Sequence, residues 1–507
     1  MTTFYSVIKP CCEMKNIYWA SLLLFGVVCC LTQSSGDIGT FWHLTDFHVN
    51  LSYKVENDSG LWGNYSQDAG PLVAFSAIKH VSDMVFSSDK PDFILWGGDA
   101  ASHQNVSLEN VTGSLTYLSE QFRKAYGLKN LIIIPVVGNH DVFPVNEMSP
   151  ITEDYNRYWW CEQLATNEKL WKTWIEFAKL SVNGLPDLPK PDFDKFCYQS
   201  WLLKTEPPVL VLALNSLVWY TNNPLVNESI EDPLDQFKWI RDSLNWARAR
   251  HAKVFITMHV PAGAPEFSPD TYRHLKPKYN KKLVSILRGY FDVIITTLAS
   301  HQHIDTFRVI LNEKYHPVGT IFLGPSVDHL HLDAIGSTNP RIRKYTYNRK
   351  TGKIIDYEQY MLDLSQQGPN WKLEYQAKET YKLQNLNATE LAHLLDEVTE
   401  NDDPKKKWTE YWYHQLGGRP HDKTRISPTG ECPEAKSVCR CQQICAIRHV
   451  DTEQLDACLK VCSESEKPQL DTIAQLEDKA KGGSTIARLS GGAIFAFTVN
   501  VLMARWY

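Results

Sequence analysis

The sequence predicts an α/β domain whose sheets are covered by helices. Between residues 40 and 325, short β-rich apolar runs alternate with amphipathic stretches, several runs end in Asp, Asn or His, and the pattern turns helical and cysteine-rich only after residue 366. The expected strands are Thr40–Thr45, Phe93–Trp96, Leu131–Val137, Val209–Leu214, Val254–Met258, Val293–Leu298 and Thr320–Leu323. Apolar residues recur at helical spacing over Pro71–Phe86, Leu115–Tyr126, Pro233–Arg250 and Lys281–Tyr290. Ile151 to Phe196, with Trp159, Trp160, Trp171 and Trp174, reads as a helical insertion. Arg343–Asn348 and Lys353–Leu362, joined by Arg349-Lys350-Thr351-Gly352, read as a closing hairpin. Helices are expected over Ala377–Lys382, Thr389–Glu400 and Lys405–Leu416.

At 507 residues the chain has room for one large core and a smaller second domain. A net charge of -6 leaves no basic footprint, which argues against a nucleic-acid scaffold role. Residues 1–36 read as a signal peptide: Lys9 and Lys15 precede an apolar stretch from Ile17 to Leu31, and Ser34-Ser35-Gly36 follow. Export agrees with the sequons at Asn50, Asn57, Asn64, Asn105, Asn110, Asn227 and Asn387. Beyond the leader, Cys161 and Cys197 stand alone and are expected to pair. Cys432, Cys439, Cys441, Cys445, Cys458 and Cys462 form a cluster, read as disulfides with a zinc knuckle as the rival; 15 connectivities are open to six cysteines. From 466 to 507 a polar tail runs into Gly482-Gly483-Ser484, a spacer and an apolar end, the layout of a GPI-attachment signal. The expected divisions are 1–36, a catalytic domain over 37–365, a helical Cys-rich domain over 366–465 and the tail.

The chemistry is concentrated at strand ends. Asp46-Phe47-His48, Gly98-Asp99, Gly138-Asn139-His140-Asp141, Met258-His259 and His301-Gln302-His303 each close an apolar run. One such pair means little among 17 histidines; five in series point to a two-metal phosphoesterase site. Asp99 is the candidate bridge. Asp46, His48 and His303 would complete one ion, and Asn139, His259 and His301 the other, a donor set suited to two zinc ions per chain. His140 is the expected proton donor to the leaving group, with Asp141 orienting it and His103 as a second contact.

This order of motifs resembles the calcineurin-like metallophosphoesterases, which implies a sandwich of two mixed sheets flanked by helices. Ser102 stands where purple acid phosphatases carry a tyrosine ligand, and GNHD replaces the GNHE of 5′-nucleotidases. The acid sphingomyelinase branch is matched by Asp99 with His103, His259-Val260-Pro261, His301-x-His303-x-Asp305-x-Phe307 and Asn339-Pro340. The chain thus resembles a short-type acid sphingomyelinase-like phosphodiesterase, without room for a saposin domain before Asp46. That resemblance implies a monomer that hydrolyses nucleotides, nucleotide conjugates or phosphocholine-type diesters, secreted or held at the cell surface by a GPI anchor, a lysosomal location also being open. A true sphingomyelin phosphodiesterase is one alternative. Another is a lipid- or partner-binding protein with a weakened site, because Ser300 replaces the usual glycine before the paired histidines; positive φ there would strain a serine.

Overall fold

A computed structural model describes residues 37–464 except 56–61, 88–89, 105, 127–130, 152–195, 204, 206, 333–335, 367, 401–406 and 418–437. In chain order its strands are β1 (Ile38–Leu44), β2 (Phe93–Trp96), β3 (Ile133–Pro135), β4 (Gln199–Leu203), β5 (Val209–Ala213) and β6 (Lys253–Thr257). Then come β7 (Ile294–Ala299), β8 (Thr306–Leu311), β9 (Pro317–Leu323), β10 (Arg341–Asn348), β11 (Ile354–Leu362) and β12 (Trp371–Gln376). They form two six-stranded sheets, ordered β12-β11-β10-β1-β2-β3 and β4-β5-β6-β7-β9-β8. Strands β1, β2 and β3 run parallel, as do β5, β6, β7 and β9; the remaining pairings are antiparallel. The parallel strands are apolar on both faces, as strands covered on both sides must be: β2 and β5 are buried throughout.

Helices α1 (Pro71–Ser87) and α2 (Leu108–Tyr126) connect the strands of the first sheet, and α3 (Gln236–Ala249) and α4 (Pro277–Gly289) those of the second. The starts of α2 and α3 are fixed by side chains that satisfy otherwise unpaired backbone donors. Ser107 Oγ accepts from Asn110 N at 3.1 Å, and the Asp232 carboxylate accepts from Phe237 N and Lys238 N at 2.8 and 2.9 Å.

The two sheets meet through aromatic rings. Phe41 stacks on Phe93 and Tyr345 within the first sheet, at 4.5 and 4.7 Å between centroids, and meets Phe255 of the second sheet edge-on at 5.5 Å. Phe255 also meets Tyr347 at 5.4 Å, and Phe322 meets Tyr345 at 5.9 Å. Such pairs add about 0.5–1.5 kcal/mol each beyond the area they bury, and they fix how the two rows of strand ends face one another.

Past the hairpin the structure departs from expectation. β12 extends the first sheet beyond residue 365, so the C-terminal segment is not set apart there: α5 (Ala377–Tyr381) follows directly, then α6 (Ala388–Glu400) and α7 (Lys407–Gln415). Strands β4, β8 and β12 were not anticipated; all three are edge strands, β8 buried throughout and β12 only in patches. The disulfides Cys441–Cys462 and Cys445–Cys458 join α8 (Val438–Arg448) to α9 (Thr452–Glu464). Each helix offers two cysteines one turn apart, so an antiparallel hairpin pairs the outer two and the inner two. Among the described residues of the cluster, oxidised sulfurs leave no thiolate for a zinc knuckle. Cys197 and Cys439 are also disulfide-bonded, while Cys161 and Cys432 lie outside the described residues, as do the leader, the tryptophan-rich insertion and the tail. Among the described residues no helix is long and apolar enough to cross a membrane.

Removing the central ring of the inter-sheet cluster should be costly. Phe41→Ala is expected to lower unfolding free energy by about 3–5 kcal/mol, read by urea denaturation, with the slope of the transition unchanged.

Candidate metal centre

Residues after β1, β2, β3, β6 and β7 converge where the two sheets' parallel strands end. Backbone bonds between loops fix the approach: Asp46 N donates to Gly98 O at 3.0 Å, and Phe47 N and His48 N to Asp99 O at 2.9 and 3.1 Å. Gly98, at φ 97°, makes the turn, and a Cβ there would meet Gly138 N at 2.7 Å.

Asp99 is central. Its Oδ2 lies 3.1 Å from His259 Nε2 and 3.5 Å from His48 Nε2, while Oδ1 accepts from His140 N at 2.7 Å. Asp46 Oδ1 lies 3.5 Å from His303 Nε2 and 4.0 Å from His259 Nε2. His48 Nε2 and His303 Nε2 are 3.1 Å apart, and His259 Nε2 is 3.1 Å from Asn139 Oδ1. His301 joins Asp99 and His259 in a group whose ligand atoms lie within 4.8 Å of one another. All seven expected ligands are therefore brought together in two overlapping sets that share Asp99.

The donor chemistry fits divalent cations. His48 Nδ1 and His259 Nδ1 donate to the carbonyls of Ala101 and Gly97, each at 2.8 Å. A carbonyl cannot donate, so each Nδ1 carries the proton and each Nε2 presents its ligating atom to the cluster. Burial, reinforced by neighbouring imidazoles, holds His48, His301 and His303 well below the usual histidine range. Burial would raise Asp99, but the His259, His140 and His48 imidazoles outweigh it and keep the carboxylate well below its ordinary value. Burial likewise opposes protonation of His259; Asp99 and Asp46 overcome it and push its pKa up to about 9, so a proton takes the place at Nε2 that a cation can fill. The Cys441, Cys445 and Cys462 group is committed to disulfides.

Five of these side chains stand on residues with positive φ: Asp46 (50°), His48 (39°), Asp99 (55°), His301 (76°) and His303 (61°). Each non-glycine residue held there costs about 1–2 kcal/mol. Ser300 is not among them, so the expected strain at that serine is absent and lies on its neighbours instead. Ser300 is buried, its Oγ 3.3 Å from His43 Nε2 and its N donating to His259 O at 3.0 Å.

Two expected roles need correction or extension. Asp141 does not orient His140. Its carboxylate accepts from Asp99 N, Ala100 N and Gly138 N at 2.9, 2.6 and 2.8 Å, holding two strand-end loops together, while His140 Nδ1 has no partner among the described residues. The His140 ring lies edge-on to His48 and His103, at 4.9 and 4.6 Å between centroids, and burial lowers its pKa to about 4. His103 stacks on His48 at 3.7 Å and pairs through Nδ1 with Asp68 Oδ1 at 2.7 Å. Burial works against its proton, but Asp68 more than compensates, and the pKa is raised.

Asp68, Asp328 and Tyr220 were not anticipated. Asp68, Asp328 and His103 form a further cluster, and Tyr220 Oη lies 3.3 Å from His301 Nε2. Tyr220 and Asp328 follow β5 and β9, parallel strands that end beside β6 and β7. Strand position was the available signal; no motif marks either residue, and nothing in the sequence marks Asp68. Of the sequons, Asn227 and Asn387 are exposed, Asn64 and Asn110 half-buried, and Asn57 and Asn105 outside the described residues. Asn50 is only 7% exposed, and its Oδ1 accepts from Ser52 N at 3.0 Å, which leaves little room for a glycan.

The calcineurin-like phosphoesterase profile matches residues 39–305, and the acid sphingomyelin phosphodiesterase C-terminal region matches residues 316–465. The chain belongs to the calcineurin-like phosphoesterase family. It is a divalent-metal phosphoric diester hydrolase of the acid sphingomyelinase-like type. Cyclic GMP-AMP phosphodiesterase SMPDL3A of Homo sapiens is 28% identical over 450 residues, covering 83% of this chain and 90% of that protein. Acid sphingomyelinase-like phosphodiesterase 3b of Homo sapiens is 28% identical over 459 residues, covering 85% and 92%. Sphingomyelin phosphodiesterase of Homo sapiens is 24% identical over 430 residues, covering 82% and 60%.

Two substitutions test this geometry. Asp141→Ala is expected to weaken metal affinity about 10–100-fold, read by competition with a chromogenic chelator. Ser300→Gly is expected to bring no gain, since glycine adds only about 0.5–1 kcal/mol of backbone entropy cost; a tenfold rise in affinity would contradict the backbone assignment.

Proposed function

We propose that the chain is an exported phosphodiesterase that uses two zinc ions per chain, held by Asp46, His48, Asp99, Asn139, His259, His301 and His303, to hydrolyse soluble phosphodiesters. The observation that carries the reading is the Asp99 Oδ2 atom, which faces His48 of one donor set and His259 of the other. Divalent cations bound there supply Lewis-acid polarisation of a phosphoryl group and acidify a water.

The protein's own groups do the rest. Asp99 and Asp46 place negative charge between the imidazoles, and the Nδ1–carbonyl bonds keep His48 and His259 turned inward. His103 and His140 border the cluster from the side of His48. Asp68 fixes the His103 Nδ1 proton, leaving Nε2 to contact a phosphoryl oxygen or give a proton to the departing oxygen. His140, with its depressed basicity, is better suited to hydrogen-bond a phosphoryl oxygen. Nucleotides and nucleotide conjugates fit a site that binds phosphate through metals without a basic surface, and the names of the relatives include a cyclic GMP-AMP phosphodiesterase. Export is supported by the leader, the sequons and the Cys441–Cys462 and Cys445–Cys458 disulfides. The GPI-like tail supports tethering at the cell surface, and a monomer suffices, since every proposed ligand comes from one chain. Because Ser300 carries no positive φ, the reading as a weakened binding protein loses the residue that favoured it.

Hydrolysis of bis-p-nitrophenyl phosphate should cease on chelation and return with zinc, and elemental analysis should find two ions per chain. Asp99→Asn should lower kcat/KM by about 100-fold or more, on the scale of losing one preorganised electrostatic group; turnover that persists in the chelated protein would refute the reading. His103→Ala should slow diesters with alkyl leaving groups about 10²–10⁴-fold and p-nitrophenyl esters far less, because p-nitrophenolate departs without a proton.

A further inference from the structure

We propose that Asn387 is an occupied N-glycosylation site whose first sugars lie in a cleft, against the exposed Phe291 ring, at the end of the sandwich away from the metal centre. The cleft has a volume of about 330 Å³ and is bordered by Phe291, Ile295 and Val318 beside the charged Lys253 and Asp292, with Asn387 and Thr389 of the Asn-Ala-Thr sequon also lining it. It lies at the starts of β7 and β9, whereas His301 follows the end of β7. That volume falls within the small-ligand range of about 300–1,000 Å³, and the acceptor side chain is itself part of the wall.

Three features support occupancy and seating. Asn387 and Thr389 are both exposed, as an acceptor sequon must be. The Asn387 Oδ1 caps α6 by accepting from Glu390 N at 2.9 Å, which turns the other carboxamide atom, Nδ2, to be the one available for modification. Phe291 is 56% exposed, the most exposed aromatic side chain among the described residues, and it borders the same cleft. An apolar ring left in water costs free energy; the C–H face of a pyranose laid across it restores dispersion contacts while its hydroxyls stay solvated. In the transfer, Nδ2 loses one proton and bonds to the anomeric carbon of an oligosaccharide delivered by a polyprenyl-diphosphate donor, whose diphosphate departs. The Oδ1 cap is untouched by that chemistry.

The inference rests on export, and the experiment separates the two. The full chain is expressed in a secreting eukaryotic cell, and occupancy is read by glycopeptide mass spectrometry. Asn387 is expected to be occupied in most molecules. Under native conditions an endoglycosidase should release its glycan several-fold faster from Phe291→Ser than from the unmodified sequence. Asn387→Asp keeps an oxygen for the helix cap but cannot be glycosylated. It should bind more of an apolar dye and melt a few degrees lower, with hydrolysis of bis-p-nitrophenyl phosphate unchanged. An empty Asn387 beside an occupied Asn227 would overturn the site, and equal release rates would overturn the seating in the cleft. A secreted chain bearing no glycan at any sequon would remove the site while leaving export standing; a chain retained in the cytosol would remove both.

Discussion

The candidate centre depends on one carboxylate held from three sides. Asp99 Oδ2 faces His48 and His259, Oδ1 accepts from His140 N, and the residue's own amide donates to Asp141. Those contacts tie the ends of β1, β2, β3 and β6 to a single point. They also explain the glycines around it: a Cβ on Gly138 would meet Asp99 Oδ1 at 2.1 Å, so the loop can approach the carboxylate only without a side chain. Losing the Asp99 charge would remove the nearest carboxylate partner of imidazoles in both donor sets at once, since Asp46 faces His303 and His259 only from 3.5 and 4.0 Å.

The C-terminal region braces the same centre from behind. Arg341 donates to His414 O at 2.8 Å, at the end of α7, and to His303 O at 3.3 Å. Asp305 N donates to Gln415 O at 3.2 Å, while the Asp305 carboxylate pairs with Arg343 and accepts from Tyr375 at 2.5 Å. Arg341 and Arg343 are fully buried, and buried charges are tolerated only when partners replace the lost water. Here those partners are the loop carrying His301 and His303, together with β12 and the C-terminal helices. Helices that look separable along the chain therefore complete the shell behind that loop.

The strand-end motifs were legible because they are local: Asp46-x-His48 and His301-x-His303 place two donors on one short loop. The alternation of strands and helices followed from period, the donors and the central Asp99 from motif, and the two-sheet sandwich only from the family resemblance those motifs carry. What escaped was set by contacts far apart in sequence. Asp68 and His103 are 35 residues apart and meet only because α1 begins beside the β2 loop. Asp141 reads as a catalytic partner because it adjoins His140, yet three converging amides make it a brace. Edge strands β4 and β12 carry too little apolar pattern to announce themselves, and the reach of β12 past residue 365 is a property of sheet pairing. At Ser300 the strain was assigned one residue early, because backbone dihedrals are not written in residue type except at glycine.

The position of that strain bears on function. Five residues with positive φ represent roughly 5–10 kcal/mol at about 1–2 kcal/mol each, as large as the entire net stability of a typical domain, about 5–15 kcal/mol. Such a burden persists only where the surroundings over-determine the backbone. The loop-to-loop hydrogen bonds from Asp46, Phe47 and His48 to the Gly98–Asp99 turn, and those of Val327 N and Asp328 N to Thr45 O and Asp46 O, do this here. The donors are thereby fixed before any ligand arrives. Little reorganisation remains to be made when phosphate charge develops between them, and that is the condition under which electrostatic stabilisation is strongest. The first and third residues of both D-x-H and H-x-H adopt this backbone while the middle residue does not, so a single local conformation, used twice, accounts for four of the seven converging side chains.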